Sequence, residues 1–192
     1  MTRVGRPPAT TREEIEREAM RLFTARGFDA TTVDDIAAAA GIGRRTFFRY
    51  FGSKNDVVWG RFDEGLARLR ERLAAAPLDR PLADVLREAI VEFNALPTEQ
   101  VAVHRQRMTL ILGVDSLQAH STLMYAEWRR VVADYVARRT GSASDDLLPR
   151  LAGHVLLGAA VTAYERWLDD PRAELAALLD ATLSRATAVL DR

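Results

Sequence analysis

The twenty residues Thr32–Phe51, TVDDIAAAAGIGRRTFFRYF, constrain this chain more than any other stretch. They read as two short helices joined by a tight turn. Thr32 is a good N-cap, and Asp35 three residues on can bond back to it as the acid of a capping box does. Val33, Ile36, Ala37 and Ala40 give one apolar face at helical spacing. Gly41 then stands where a chain leaving a helix turns left-handed, a conformation that costs glycine nothing. Ile42 plugs the corner. From Arg44 a second helix carries Phe47, Tyr50 and Phe51 on one side and Arg44, Arg45, Thr46 and Arg49 on the other.

A capped helix, a glycine turn and a helix with a cationic exposed face form the plan of a helix-turn-helix. The second helix enters the DNA major groove, where arginine pairs with guanine through two hydrogen bonds. The expectation is that Arg44, Arg45 and Thr46 meet base edges, while Thr32, Arg49, Tyr50 and Lys54 hold phosphates of a double-stranded operator. The plainer alternative is a solvated arginine face on an ordinary helix.

The formal net charge is zero, yet the charge is unevenly spread: residues 1–54 hold ten Lys/Arg against seven Asp/Glu, and the remainder seventeen against twenty. The basic part is the part that contains the motif, which is the distribution that matters for nucleic acid. Lys54 is the only lysine among 27 basic residues. With no cysteine, disulfides, thiol catalysis and cysteine-ligated zinc are excluded. No apolar run approaches a membrane span and the start is no signal peptide, so a cytoplasmic protein with no membrane partner is expected.

Three parts are expected: a flexible basic arm over 1–10, a DNA-binding domain over 11–56, and a C-terminal ligand-binding and dimerisation domain over 57–192. Gly5, Pro7 and Pro8 keep the arm from being helical, and Arg3 and Arg6 on it suit a minor groove. Thr11 and Glu14 make a capping box for the first helix, Ile15, Ala19, Leu22 and Phe23 its stripe, and Gly27 its stop. After Gly52, Ser53 caps the next helix, whose free amides beside Lys54 suit a phosphate. A long helix is expected over 57–76, spanning ~30 Å at ~1.5 Å per residue and linking the halves. Further helices are expected over about 82–96, 98–112, 116–139, 145–168 and 171–190, with Pro77, Pro81, Pro97, Gly113, Gly141 and Pro171 as punctuation. No strand signal appears, so the fold class is all-α, with about nine helices.

An ordered set of residues resembles the TetR family of one-component regulators: Ala19, Leu22, Phe23, Gly27, Phe28, Thr31 to Ile36, Ala40-Gly41-Ile42, Thr46-Phe47, Tyr50-Phe51 and Ser53-Lys54. It covers about residues 10–58. The resemblance implies a homodimeric repressor that binds a pseudo-palindromic operator and releases it when a small molecule enters the C-terminal domain. Two positions depart from the family pattern. Gly43 stands where a capping serine is common, and Phe48 where a phosphate-binding tyrosine is common. The run RRTFFRYFGSKNDVVWG resembles the branch associated with mycofactocin gene clusters, which implies an acyl-CoA-type effector.

The last two helices carry more apolar surface than one core-facing stripe needs, and the expectation is that they form a four-helix bundle with a second copy. Trp59, Phe62, Phe93, Arg105, Met108, Met124 and Trp128 are expected to line a largely apolar effector site with an anion-binding end. His104, His120 and His154 lack metal-ligand spacing, and no cofactor fingerprint or nucleophile motif is present. The competing function classes are a helical lipid or small-molecule binding module and a small all-α enzyme, each with a vestigial helix-turn-helix.

Overall fold

The computed structural model describes residues 10–188, and the expected basic arm with Arg3 and Arg6 lies outside them, apart from Thr10. The described residues are helical throughout, with ten α-helices and no strand. They fall into two compact units that divide between Gly60 and Arg61.

The first unit holds α1 (Arg12–Arg26), α2 (Val33–Ala39), α3 (Arg44–Tyr50) and α4 (Lys54–Trp59). Both capping boxes form: Thr11 accepts from the Glu14 amide and Thr32 from the Asp35 amide, and each acid accepts from the cap residue's own amide. Gly27 and Gly41 take positive φ, 86° and 65°, where a side chain is strained. Gly43 caps α3 with no side-chain bond, as its lack of a hydroxyl requires. Ser53 caps α4 by accepting from the Asp56 amide. Ile15, Ala19, Leu22 and Phe23 meet Phe28, Ile36, Phe47, Phe51, Val57 and Val58 in one buried core. Truncating Phe47 or Phe23, both essentially without solvent exposure, would cost about 3–5 kcal/mol. That core is what fixes α3 against α1 and leaves its other face outward.

The second unit holds α5 (Phe62–Ala74), α6 (Leu82–Phe93), α7 (Val101–Gly113), α8 (Asp115–Thr140), α9 (Leu147–Asp169) and α10 (Leu175–Thr187), with a 3₁₀ turn over Thr98–Gln100 before α7. The longest helices, α8 and α9, pack together, and α10 covers α9 and α6. Gly153 permits the closest approach: a Cβ there would lie 2.9 Å from the Arg129 carbonyl. Trp128, Val132, Leu156, Tyr164, Trp167, Leu179 and Leu183 fill the interior between these helices.

One expected element is absent. The helix anticipated over 57–76 is two helices, α4 and α5, separated at Gly60 (φ 57°, ψ −123°). The apolar spacing of Val58, Trp59, Phe62, Leu66, Leu69 and Leu73 runs across the break, so periodicity alone does not show it. This split is why ten helices stand where nine were expected. The last helix also starts later than anticipated, at Leu175, because Pro171 opens a turn, not a helix.

Candidate nucleic-acid interface and effector domain

Helix α3 presents Arg45 and Arg49 to solvent, and among the described residues neither has an ion-pair partner. The Arg49 guanidinium lies 5.1 Å from the Tyr50 ring centroid. Arg44 is also exposed but engaged: its Nη1 donates to both carboxylate oxygens of Asp34, at 3.0 and 2.9 Å, and its guanidinium carbon lies 5.3 Å from the Phe48 ring. Thr46 is half-buried. Phe48 is 44% exposed on this same helix, an apolar ring on a basic face. An exposed phenylalanine cannot bond a phosphate, but it can meet a thymine methyl group.

The three other residues expected to hold phosphates are tied inward. Thr32 caps α2, and its hydroxyl donates to Asp35 Oδ2 at 2.5 Å. These bonds to Thr32, with Arg26 nearby, hold the Asp35 carboxyl below the usual carboxylate range. The Tyr50 hydroxyl donates to the Thr10 carbonyl at 3.0 Å, fixing the point from which the preceding residues depart. Lys54 is the largest difference from expectation. Its ammonium donates to the carbonyls of Phe28 (2.7 Å) and Thr31 (2.9 Å) and sits 4.1 Å from the Phe28 ring centroid. Burial pulls its pKa down and Asp29 opposes that shift. Lys54 therefore closes the corner between α1 and α2, with one N–H left for any other partner.

In the second unit the seven expected effector residues do not share one wall. Trp59 belongs to the first unit. Phe62 and Phe93 make an edge-to-face pair 6.1 Å apart. Met108 and Trp128 are packed in the interior, and Met124 is half-buried. Arg105 donates to the Trp167 carbonyl and stacks 4.0 Å from the Trp167 ring, so it braces α7 on α9. A neighbouring polar chain escaped sequence reasoning. The Tyr164 hydroxyl donates to Asn94 Oδ1 (2.8 Å), and Asn94 Nδ2 donates to the Ile90 carbonyl (2.7 Å). With the Tyr164 hydrogen thus committed, the 2.9 Å contact with His104 places the donating hydrogen on His104 Nε2. Burial, with Arg107 adding, lowers the His104 pKa from 6.5 to about 4, so the ring is neutral. Burial also pushes the Tyr164 phenol up.

An open groove of about 440 Å³ lies between α8 and the start of α9, lined among others by Arg129, Arg130, Asp134, Asp145, Arg150 and His154. None of the expected effector residues lines it. Helix α9 also differs from the expectation that no segment is long and apolar enough to cross a membrane: by length and composition it is, with 39% of its most apolar stretch buried. Leu147 (84% exposed), Leu148 and Leu151 open that apolar face to solvent at its N-terminal end. Among the described residues no group of His, Asp or Glu is disposed to hold a metal ion.

The family model described as bacterial regulatory proteins, tetR family, matches residues 15–58, and that described as MftR C-terminal domain matches residues 80–191. A protein of Mycobacterium tuberculosis named as a mycofactocin biosynthesis transcriptional regulator, MftR, is 44% identical over 191 residues, which cover 100% of this chain and 96% of that one. The HTH-type transcriptional regulator TcmR of Streptomyces glaucescens is 31% identical over 164 residues, 82% of this chain and 73% of its own. Among solved structures, the TetR-family repressor FadR of Thermus thermophilus, in complex with lauroyl-CoA, aligns with a TM-score of 0.59 at 27% identity, over 92% of this chain and 93% of that one.

Proposed function

This chain belongs to the TetR family of bacterial transcription regulators, and we propose that it works as a homodimeric repressor that leaves a pseudo-palindromic operator when an acyl-CoA occupies its second unit. The observation that carries this reading is the outward face of α3, where Arg45 and Arg49 stand unpaired on a helix seated by Phe47 and Phe51. Arg45 is assigned to a guanine edge, Arg44 to a base edge once Asp34 releases it, and Phe48 to a thymine methyl. Arg49 is assigned to the phosphate backbone. Thr32, Tyr50 and Lys54 shape the platform and touch phosphate at most through their remaining hydrogen-bonding capacity.

Dimerisation is assigned to α9 and α10. Leu147, Leu151, Val155 and Gly158 continue one another along the part of α9 turned away from its core residues, and Ala177, Ala181 and Ser184 do so on α10. Such a stripe, small in the middle and apolar at one end, suits a self-complementary four-helix contact. A second copy placed there accounts for the apolar character of α9 without a membrane. The acyl-CoA class is supported by the lauroyl-CoA complex of the FadR relative and by the aromatic and methionine-rich interior of the second unit.

Selection of bound duplexes from random DNA, repeated with lauroyl-CoA, tests the proposal. A palindrome should emerge and be lost with the ligand. Arg45→Ala should weaken it by ~1–3 kcal/mol and relax one position in each half-site. No enrichment of any sequence, or equal loss by Arg45→Ala on operator and random DNA, overturns it.

A further inference from the structure

Both ends of α4 are clamped into the first unit, and the clamp at its C-terminal end is a single side chain. Arg12 is the first residue of α1. Its Nη1 donates to the Tyr50 carbonyl at 3.0 Å and its Nη2 to the Gly60 carbonyl at 2.9 Å. Its Nε donates to Glu16 at 3.2 Å, and its guanidinium carbon lies 4.4 Å from the Phe51 ring centroid. Each direction of the planar fork is therefore filled.

The two carbonyls mark special places. Tyr50 is the last residue of α3, where helix carbonyls have no partner within the helix. Gly60 closes α4 in a conformation that residues with a Cβ rarely adopt, and it is the last residue of the first unit. One rigid guanidinium thus ties the end of the reading helix to the joint through which the chain leaves the DNA-binding unit. Lysine could not repeat this, since a compact ammonium lacks the fork that reaches both acceptors while lying flat on a ring.

We propose that Arg12 is a positioning residue for operator recognition, which couples the conformation of the Gly60 joint to the orientation of α3. The inference rests on the effector-controlled reading given above, and it assigns the transmission to a contact, not to α4 alone. A change at Gly60 pulls on the same fork that holds the Tyr50 carbonyl, so α3 is re-aimed or released when the joint alters. Bond directionality makes this a two-position device: the fork is satisfied with both carbonyls in register and loses one of them when they separate.

The test uses the full-length protein with Arg12→Lys, and Glu16→Gln as a milder change that leaves Arg12 in place and loosens its orientation. Fluorescence anisotropy measures the operator Kd with and without lauroyl-CoA, and on operators whose half-sites are moved apart by one base pair. In the wild type, release should fall in the usual range of about 5–150-fold and the spacing change should weaken binding sharply. In Arg12→Lys the release ratio should fall toward one and the spacing penalty should flatten, with Glu16→Gln between. A plain structural brace would raise Kd equally with and without ligand and leave the spacing penalty intact. An unchanged spacing penalty overturns the proposal, and so does an unchanged release ratio in a protein that responds to lauroyl-CoA. If the wild type ignores lauroyl-CoA, the effector reading fails while the spacing series still decides the role of Arg12. Should Arg12→Lys not fold, the same two comparisons are made on Glu16→Gln.

Discussion

Replacing Lys54 by methionine separates two roles that share one position. The side chain keeps its length and loses its charge, so packing is nearly conserved. The bond to the Thr31 carbonyl is charge-assisted and contributes ~1.5–3 kcal/mol. That to the Phe28 carbonyl contributes less, about 1 kcal/mol, since this oxygen also accepts from the Thr31 amide at 3.2 Å. The ammonium over the Phe28 ring adds ~0.5–1 kcal/mol. Against this stands the ~2 kcal/mol of rotamer entropy that a lysine side chain carries, much of it surrendered in this clamp. The balance is a loss of about 2 kcal/mol on substitution, read as a lower urea midpoint for the first unit. Hydrogen exchange should quicken at residues 28–36, where the clamp holds the corner. The salt dependence of operator binding supplies the opposing readout. A lysine spent on carbonyls leaves the slope of log K against log salt unchanged, whereas a lost phosphate contact lowers it by ~0.9. Unaltered stability together with a slope reduced by that amount would refute the clamp and return Lys54 to the phosphate backbone.

Three further outcomes are expected. Asp34→Asn frees Arg44 from an exposed ion pair that contributes only ~0.2–1 kcal/mol, so thermal stability should hardly move while operator affinity rises; a fall in affinity by anisotropy would mean that Asp34 orients Arg44 for DNA. His104 has its folded pKa lowered from 6.5 to about 4, so its stabilising share is complete above pH 6.5 and is lost as pH falls from there toward 4, amounting to about 3 kcal/mol at 1.36 kcal/mol per unit. Urea midpoints at pH 7 and 4.5 should converge in His104→Gln relative to the wild type, and an unaltered difference would show that other groups carry it. Leu151→Glu places a charge on the open α9 face and should turn the dimer into a monomer by sedimentation, with operator binding falling in parallel; a dimer unaffected by it would place the contact elsewhere.

Local signals in the sequence were sufficient for the first unit. Thr11 with Glu14 and Thr32 with Asp35 form their boxes because each needs only a residue three positions away, a relation the backbone of a first helical turn guarantees. Gly27 and Gly41 adopt the positive φ that their places after a periodic stripe imply. In the second unit, punctuation by proline and glycine located most helix ends to within a few residues. What spacing could not supply was which long-range partner each polar side chain would choose. Lys54 finds Phe28 and Thr31, Arg12 finds Tyr50 and Gly60, and Tyr164 finds Asn94 and His104, at separations of 23 to 70 residues. A basic residue beside a DNA-binding motif has two uses of similar energy, phosphate or backbone carbonyl, and only the fold decides between them. The expected effector residues failed to gather for a related reason: an aromatic or methionine at helical spacing fills a core as readily as it lines a cavity.

Gly60 shows why a missed break carries more consequence than a missed helix end. A glycine inside a helix costs only ~1 kcal/mol relative to alanine, so an apolar stripe crossing it reads as continuous and the penalty is too small to betray the interruption. Once the helix is cut there, a rigid rod no longer transmits motion along 57–76, and whatever couples the two units must pass through the groups that hold the cut ends. On the DNA-binding side those groups are Arg12 at the Gly60 carbonyl and Lys54 at the opposite end of α4. Lys54 anchors α4 to the α1–α2 corner, away from the end of α3, whereas Arg12 reaches α3 itself. The asymmetry assigns stability to one cation and transmission to the other, although both are basic side chains at opposite ends of a six-residue helix.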